Sequence, residues 1–364
     1  MSASGTESAG GTLDDPRTLA RLDPGGMLAC LRSLPEQCRE AWDAAKGLEL
    51  PASYQEIDRI AVLGMGGSAI AGDFWRALLE RECAVPVFNI RAYDLPPYID
   101  ERTLVVASSF SGDTEEVLSA FAQALAMPAP KIAVTAGGQL LATARANGIP
   151  VFTYDYEGEP RAALGWTLMP LLAIAESLRL MQGIETDVEE AIDALASLVD
   201  EIGDDVPLTR NPAKQLAQDL HGRLPVVYGT GALIEVARRW KTQLNESGKV
   251  WAFFEDLPEL HHNAIIGYTL PREISERTAV VFLESADLVH RRVQLRYDFT
   301  KELLSRAGVS SHSLVARGKS ALAQMLSLAL FGDYVSAYLA FIYDEDPTPT
   351  AVIDELKAWL AKQE

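Results

Sequence analysis

A chain of 364 residues has the length of two ordinary domains, and its 48% apolar and 23% charged residues are the balance of a globular protein with material for two cores. Its formal net charge of −19, with an isoelectric point near 4.7, repels polyanions and argues against a nucleic-acid partner. A phosphorylated metabolite is an anion too, so a site for one must be locally electropositive or built from oriented backbone N–H groups.

Residues 1–13 read as a disordered leader, Ser- and Gly-rich at its start, without the basic and apolar regions of a signal peptide. Cys30, Cys38 and Cys83 show no Cys-x-x-Cys spacing, which points to a reducing compartment, the cytoplasm, and away from a disulfide scaffold or structural zinc. A surface helix is expected over 27–45, ending before Pro51. Short apolar runs at 59–64, 85–90, 103–107, 131–135 and 149–152 then read as five strands. Between them, 68–82 reads as a helix, and so does 114–127, where Val117, Leu118, Phe121 and Leu125 share one face. Helices over 161–182 and 188–202 close this half. The longest apolar stretch, 162–175, is too short to span a bilayer, so no membrane partner is expected.

The segment 203–212, with Asp204, Asp205, Pro207 and Asn211, is the expected boundary between domains 14–205 and 206–345. The rhythm then restarts, with strands at 224–229, 278–283 and 311–315 and helices at 231–246, 288–306 and 320–343. A Pro-rich hinge at 346–350 leads to a last helix over 351–362, within a tail of residues 346–364. The two halves have similar element order but no alignable repeat. Continuous β-branched runs alternating with helices specify an α/β protein, each half a doubly wound parallel sheet flanked by helices. Ligands in such sheets bind beyond the carboxyl ends of the strands.

Two strand-to-helix junctions there suit an anion: Gly64-Met-Gly-Gly-Ser68 and Ser109-Phe-Ser-Gly-Asp-Thr114. Hydroxyls and backbone N–H groups at a helix N-terminus can hold a phosphate without a lysine, and glycine lets the backbone come close. Two other readings stand beside this one. Both junctions can be plain capped turns, and Gly64-x-Gly66-x-x-Ala69 nearly fits a dinucleotide fingerprint. That fingerprint wants a ribose-binding acid about 20 positions on, where this chain has Asn89-Ile-Arg91.

The two junctions together resemble the phosphate site of sugar isomerase (SIS) domains, and in particular that of the bifunctional phosphoglucose/phosphomannose isomerases. The resemblance runs in order over nearly all of residues 46–362. It implies two SIS domains, a C-terminal helix over the active site, and a metal-independent, cofactor-free enzyme interconverting fructose 6-phosphate with glucose and mannose 6-phosphates. By resemblance Ser68, Ser109, Ser111 and Thr114 hold the sugar phosphate and Gly67 shapes the loop. Asp113 stands where the family often has Asn, and is expected to point away from the anion.

Such an isomerase needs a carboxylate base, a ring-opening acid–base pair, and a cation near the developing oxyanion. Glu246, in Asn245-Glu246-Ser-Gly-Lys at a helix end, reads by itself as a solvated residue, although the negative end of the helix dipole would raise its pKa. The family's Asn-Glu motif makes it the base between C1 and C2. His262, in Leu257-Pro-Glu-Leu-His-His-Asn263, would by resemblance open the ring together with Lys357, and would reach the partner subunit's active site, implying a homodimer. Arg161 in Pro160-Arg-Ala-Ala-Leu-Gly165 would be the cation, and Thr350 the position that admits both epimers, where conventional phosphoglucose isomerases carry a bulkier Gln. Taken singly, Arg161 and Lys357 read as surface residues. Another SIS enzyme acting on a sugar phosphate, such as an amino-sugar isomerase, a non-catalytic SIS sensor and a Rossmann dehydrogenase are the rival readings. The sensor is disfavoured by the intact Asn245-Glu246 and His262-Asn263, the dehydrogenase by the missing ribose acid.

Overall fold

The protein is described by a computed structural model over residues 13–363. The leader expected over 1–13 lies outside the described residues except for Leu13. That residue is buried, and its carbonyl accepts from Lys214 Nζ at 2.8 Å.

Three short helices come first: α1 (Pro16–Leu22), α2 (Met27–Arg32) and α3 (Leu34–Ala45). The single surface helix expected over 27–45 is therefore two, broken at Ser33, with Pro35 in the first turn of α3, where its missing N–H costs least. Nor is α3 superficial, since Leu34, Cys38, Ala41 and Trp42 are buried.

The next elements are β1 (Arg59–Leu63), α4 (Gly66–Leu79), β2 (Val87–Ile90), β3 (Thr103–Ser109), α5 (Glu115–Leu125), β4 (Lys131–Thr135), α6 (Gly138–Ala146) and β5 (Val151–Thr153). Their strands form a parallel sheet in the order β2-β1-β3-β4-β5. Side chains alternate across it. Ile60, Val62, Leu104 and Val106 join one core, while Ala61, Leu63, Val105 and Ala107 join the other. Both faces are thus covered, which is why β3 and β4 read as unbroken apolar runs.

After α7 (Leu164–Ser177) and α8 (Ile184–Ile202) come α9 (Pro212–Leu220), β6 (Leu224–Thr230), α10 (Leu233–Glu246), β7 (Phe253–Leu257), α11 (Arg272–Ser275), β8 (Thr278–Glu284), α12 (Arg291–Ala307), β9 (Ser310–Val315), α13 (Ala321–Ile342) and α14 (Ala351–Leu360). The second sheet is parallel with order β7-β6-β8-β9. It has one more strand than the sequence suggested. The extra strand β7, Phe253-Phe-Glu-Asp-Leu257, lies at the sheet edge with only Leu257 buried, so its polar composition hid it.

Helix α13 is long and apolar enough to cross a membrane by composition, yet it is the core helix of this protein. Every residue from 322 to 341 is buried, packed among α8, α9 and α10. Ion pairs bind the halves at a second place. Arg76 of α4 pairs with Glu235 of α10, which also accepts from Arg238 at 2.8 Å. Asp73 of α4 is held by Arg91 and by Asn89 Nδ2, the latter at 2.6 Å.

Helix α14 departs from expectation. It does not fold over the site within the single chain. All ten of its residues are exposed, including Val352, Ile353, Leu356 and Trp359. Its apolar stripe is thus left in water in the single chain.

Candidate active site

Pairing of β1 with β3, which sets Leu63 against Ala107, sends the two candidate phosphate-binding junctions out side by side from the carboxyl edge of the first sheet. At the first, β1 runs through Gly64 and Met65 into α4, whose opening residues Gly66, Gly67 and Ser68 include no acid, and the N-cap side chain makes no hydrogen bond. The first N–H groups of α4 are left for a ligand, and the helix dipole adds positive potential. Ser68 is buried. At the second junction Ser109 Oγ lies 2.8 Å from Thr114 Oγ1 and accepts from the Gly112 N–H at 3.1 Å. Ser111 is exposed, its Oγ accepting from the Asp113 N–H at 3.2 Å.

Asp113 turns to the neighbouring helix, where Oδ1 accepts from the Gln139 N–H at 2.9 Å in the first turn of α6. Sequence reasoning overlooked that helix, because its Gly137-Gly138 start reads as a turn. It also overlooked Glu115 and Glu116, two acids in the first turn of α5, of which Glu115 accepts from the Tyr93 hydroxyl at 3.2 Å. By charge, the α4 terminus is the better anion seat of the two.

Glycine at 112 is a geometric necessity. Its φ is +73°, and an added Cβ would lie 1.8 Å from the Gly137 carbonyl oxygen. Gly112→Ala is therefore expected to cost at least about 1–3 kcal/mol of stability and to raise KM for a sugar phosphate. Thermal melting and steady-state kinetics check this, and an unchanged Tm would contradict the close approach.

The second cluster is tied to the first by contact. A Cβ on Gly67 would sit 3.0 Å from the Pro160 carbonyl oxygen and 3.4 Å from Arg161 Cα, so the start of α4 rests on the 3-10 turn Pro160–Ala162. Arg161, expected as a surface residue from its composition alone, is only 5% exposed. Its Nε donates to Ser247 Oγ at 3.0 Å, Nη1 to Glu159 Oε2 at 2.9 Å, and Nη2 to the Pro347 and Thr348 carbonyls at 2.8 and 2.6 Å. Four of the five guanidinium N–H groups are thus spent on the protein. Arg161 clasps the residue after Glu246 and the hinge before Thr350.

Glu246 ends α10 beside this clasp. Burial pushes its carboxyl above the usual carboxylate range, while the charges of Arg161, Arg239 and Lys249 pull the other way. Lys249, in a left-handed backbone conformation, donates to the Glu246 carbonyl at 2.7 Å and to the Pro347 carbonyl at 3.2 Å, a second tie to the hinge. Thr350, half-buried, caps α14. Ser247, Lys249 and Glu159 were all missed from sequence; Ser247 and Lys249 find partners far along the chain, while Glu159 meets Arg161 two residues on.

His262 and Lys357 are both exposed in the single chain. The neighbouring His261 is turned inward, with Nε2 2.7 Å from Thr300 Oγ1. His262 is exposed on the turn that follows the edge strand β7. Lys357 is exposed on α14, 4.0 Å from Asp354. Among the described residues no hydrogen bond or ion pair joins either to Glu246 or Arg161. The ribose position of a dinucleotide site is filled otherwise, for Asn89 and Arg91 are both spent on Asp73. A hollow of about 500 Å³ lined by Tyr54, Arg102 and Pro130 opens at the amino ends of β3 and β4, the wrong end of the sheet for this chemistry.

Comparison with known proteins places the chain in a family. Residues 209–360 match the family described as bacterial phospho-glucose isomerase C-terminal SIS domain. The chain is 40% identical over 337 residues to a bifunctional phosphoglucose/phosphomannose isomerase of Caldicellulosiruptor bescii, covering 92% of this chain and 99% of that protein. A protein of the same description from Aquifex aeolicus is 34% identical, over 83% of this chain and 90% of its own length. Among solved structures, a hypothetical protein from Thermus thermophilus superposes with a TM-score of 0.73 at 18% identity, over 95% of this chain and 92% of that one, which speaks to the fold. With that identity over nearly its whole length, the chain belongs to the bifunctional phosphoglucose/phosphomannose isomerase family.

Proposed function

We propose that the protein interconverts fructose 6-phosphate with glucose 6-phosphate and mannose 6-phosphate through an enediolate, as a homodimer with shared active sites. The observation that carries the reading is the adjacency of two things. An uncapped, acid-free helix terminus rests against Arg161, which in turn clasps the end of α10 where Glu246 lies. The phosphate docks at Gly67, Ser68, Ser109, Ser111 and Thr114, where neutral donors hold an anion on an acidic protein. The sugar then extends toward Glu246.

Glu246 takes the C2 proton of the aldose as electrons move onto the C1 oxygen, a proton passes from the C2 hydroxyl to that oxygen, and the same carboxyl returns the carbon-bound proton to C1 as the C2 carbonyl forms. Its raised pKa suits a base that must also hand the proton back. Arg161 has one Nη1–H to spare and places its charge beside the oxyanion. This chemistry needs no cofactor. Lys357 and the partner subunit's His262 open the ring, and the small Thr350 leaves space for the enediolate to be reprotonated on either face of C2.

Two structural features support the dimer. His262 is exposed on the turn after the edge strand of the second sheet, and the apolar stripe of α14 is uncovered. On this reading residues 14–205 and 206–345 are the two SIS domains, and 346–364 is a tail that completes the site on assembly. The free thiols Cys30, Cys38 and Cys83 and the hexose phosphate substrates fit the cytoplasm.

Mixed dimers test the reading. In a hybrid of His262→Ala and Glu246→Gln chains, one of the two shared sites is intact, so a statistical mixture of the two inactive variants should regain about a quarter of wild-type turnover of fructose 6-phosphate. Wild-type protein that fails to turn over the ketose removes the isomerase reading. Variants that stay dead on mixing remove the shared site.

A further inference from the structure

Between α10 and α13 lies a buried polar cluster to which the reaction assigns no part. Asp333 is the only charged residue in α13. Its Oδ1 accepts from Arg239 Nε at 3.1 Å and from Gln243 Nε2 at 2.9 Å, and its Oδ2 from Arg239 Nη2 at 2.6 Å. The three side chains are each 2–3% exposed. The same Arg239 Nη2 also donates to the main-chain carbonyl of Arg161 at 2.9 Å. On α10, Arg239, Gln243 and Glu246 follow at i, i+4 and i+7, so they share one face of the helix. A cation held at two points on the core helix therefore reaches the backbone of the proposed oxyanion cation from the helix that ends at the proposed base.

We propose that Arg239, locked by Asp333, is a positioning residue of the isomerase: it fixes the Arg161 main chain and supplies part of the positive field in which Glu246 works. The inference rests on the reading of Glu246 as the base. A buried ion pair is a weak source of stability and is often replaceable by apolar side chains, so joining two helices does not by itself call for one. What this pair supplies is direction, since the two-point hold on a planar guanidinium leaves its remaining N–H groups no freedom to turn. The charged groups facing Glu246 are Arg239 on its own helix, Lys249 just beyond it, and Arg161 and Glu159 from the 3-10 turn region. Of these, Arg239 is the one paired with a carboxylate of the core helix α13.

The test is the pH dependence of kcat for fructose 6-phosphate in Asp333→Asn, Arg239→Gln and the double variant, beside KM and Tm. Asp333→Asn leaves the cation without its counter-charge, favours ionised Glu246, and should move the acid limb to lower pH. Arg239→Gln removes the cation and should move it to higher pH. Each displacement should be about one pH unit, the scale of one nearby charge, with KM changed less than kcat. Should the single variants fail to fold because a buried charge is stranded, the double variant carries an uncharged pair of similar shape, and its acid limb should also rise. Opposite displacements, or a raised limb in the double variant, support the assignment. An acid limb unmoved in every folded variant overturns it, and so does a double variant that cannot fold, since the pair is then structural. Loss of turnover in wild-type protein would instead remove the isomerase reading itself.

Discussion

Glu246→Gln is expected to lower kcat for fructose 6-phosphate by about 10²–10⁴-fold, the range that general acid–base catalysis contributes, while KM changes little. The amide fills the same space but cannot take a proton. The stability readout should move the other way. Burial raises the Glu246 pKa above its unfolded value, so the folded state binds this proton more tightly than the unfolded chain does. The group therefore contributes stability that is fully present below its unfolded pKa and is lost as pH rises through the folded pKa, above which the buried carboxylate opposes folding. At neutral pH the Gln variant, relieved of a desolvated charge, should melt no lower than wild type. A variant both inactive and markedly less stable would mean that Glu246 is a structural residue and not a base. The same raised pKa, a property of the free protein, places the acid limb of the wild-type kcat/KM profile above the usual carboxylate range, and the limb should vanish with the carboxyl.

Arg161 carries the second large effect. Arg161→Lys keeps the charge but not the fork. A lysine cannot reach Ser247, Glu159 and the Pro347 and Thr348 carbonyls at once, so three of the four bonds lose their donor. We expect kcat to fall by about 10²–10³-fold, the cost of losing one preorganised electrostatic partner of an oxyanion. The hinge at 346–350 should loosen at the same time, because Arg161 and Lys249 are the two cations that hold its carbonyls. Limited proteolysis reads this directly, with faster cleavage near Pro347–Thr350 in the variant than in the parent. A kinetically impaired variant with unchanged cleavage would separate the catalytic role of Arg161 from its role as a clasp. Unchanged kinetics would end its candidacy as the cation.

How much of this was legible from the chain depends on how local each feature is. The first sheet was readable because its central strands β1, β3 and β4 are buried on both faces, and because glycine and hydroxyl residues punctuate the junctions after β1 and β3. Edge strand β7 was not, since a strand with one solvated edge tolerates Glu255 and Asp256. Helix α6 hid behind its Gly-Gly start, and the break at Ser33 behind an apolar pattern that runs on without interruption. Among the candidate residues, Ser68, Ser109 and Thr114 were found through motifs of a few residues. The Arg161 clasp joins positions 86 to 187 residues apart, and the Asp333–Arg239 pair positions 94 apart, so no local pattern encodes either. One signal for the latter was available: a single carboxylate in a 22-residue apolar helix has to meet a cation somewhere. The placement of α14 was legible only in part. Its amphipathic pattern is plain, but the surface that covers it is not within the chain's own described residues.

The most direct measurement is to incubate the purified protein with fructose 6-phosphate and resolve the hexose 6-phosphates formed. The account predicts both glucose 6-phosphate and mannose 6-phosphate, each absent with Glu246→Gln. Glucose 6-phosphate alone would contradict the argument from Thr350 and leave a single-epimer isomerase. Formation of neither product would contradict the central claim.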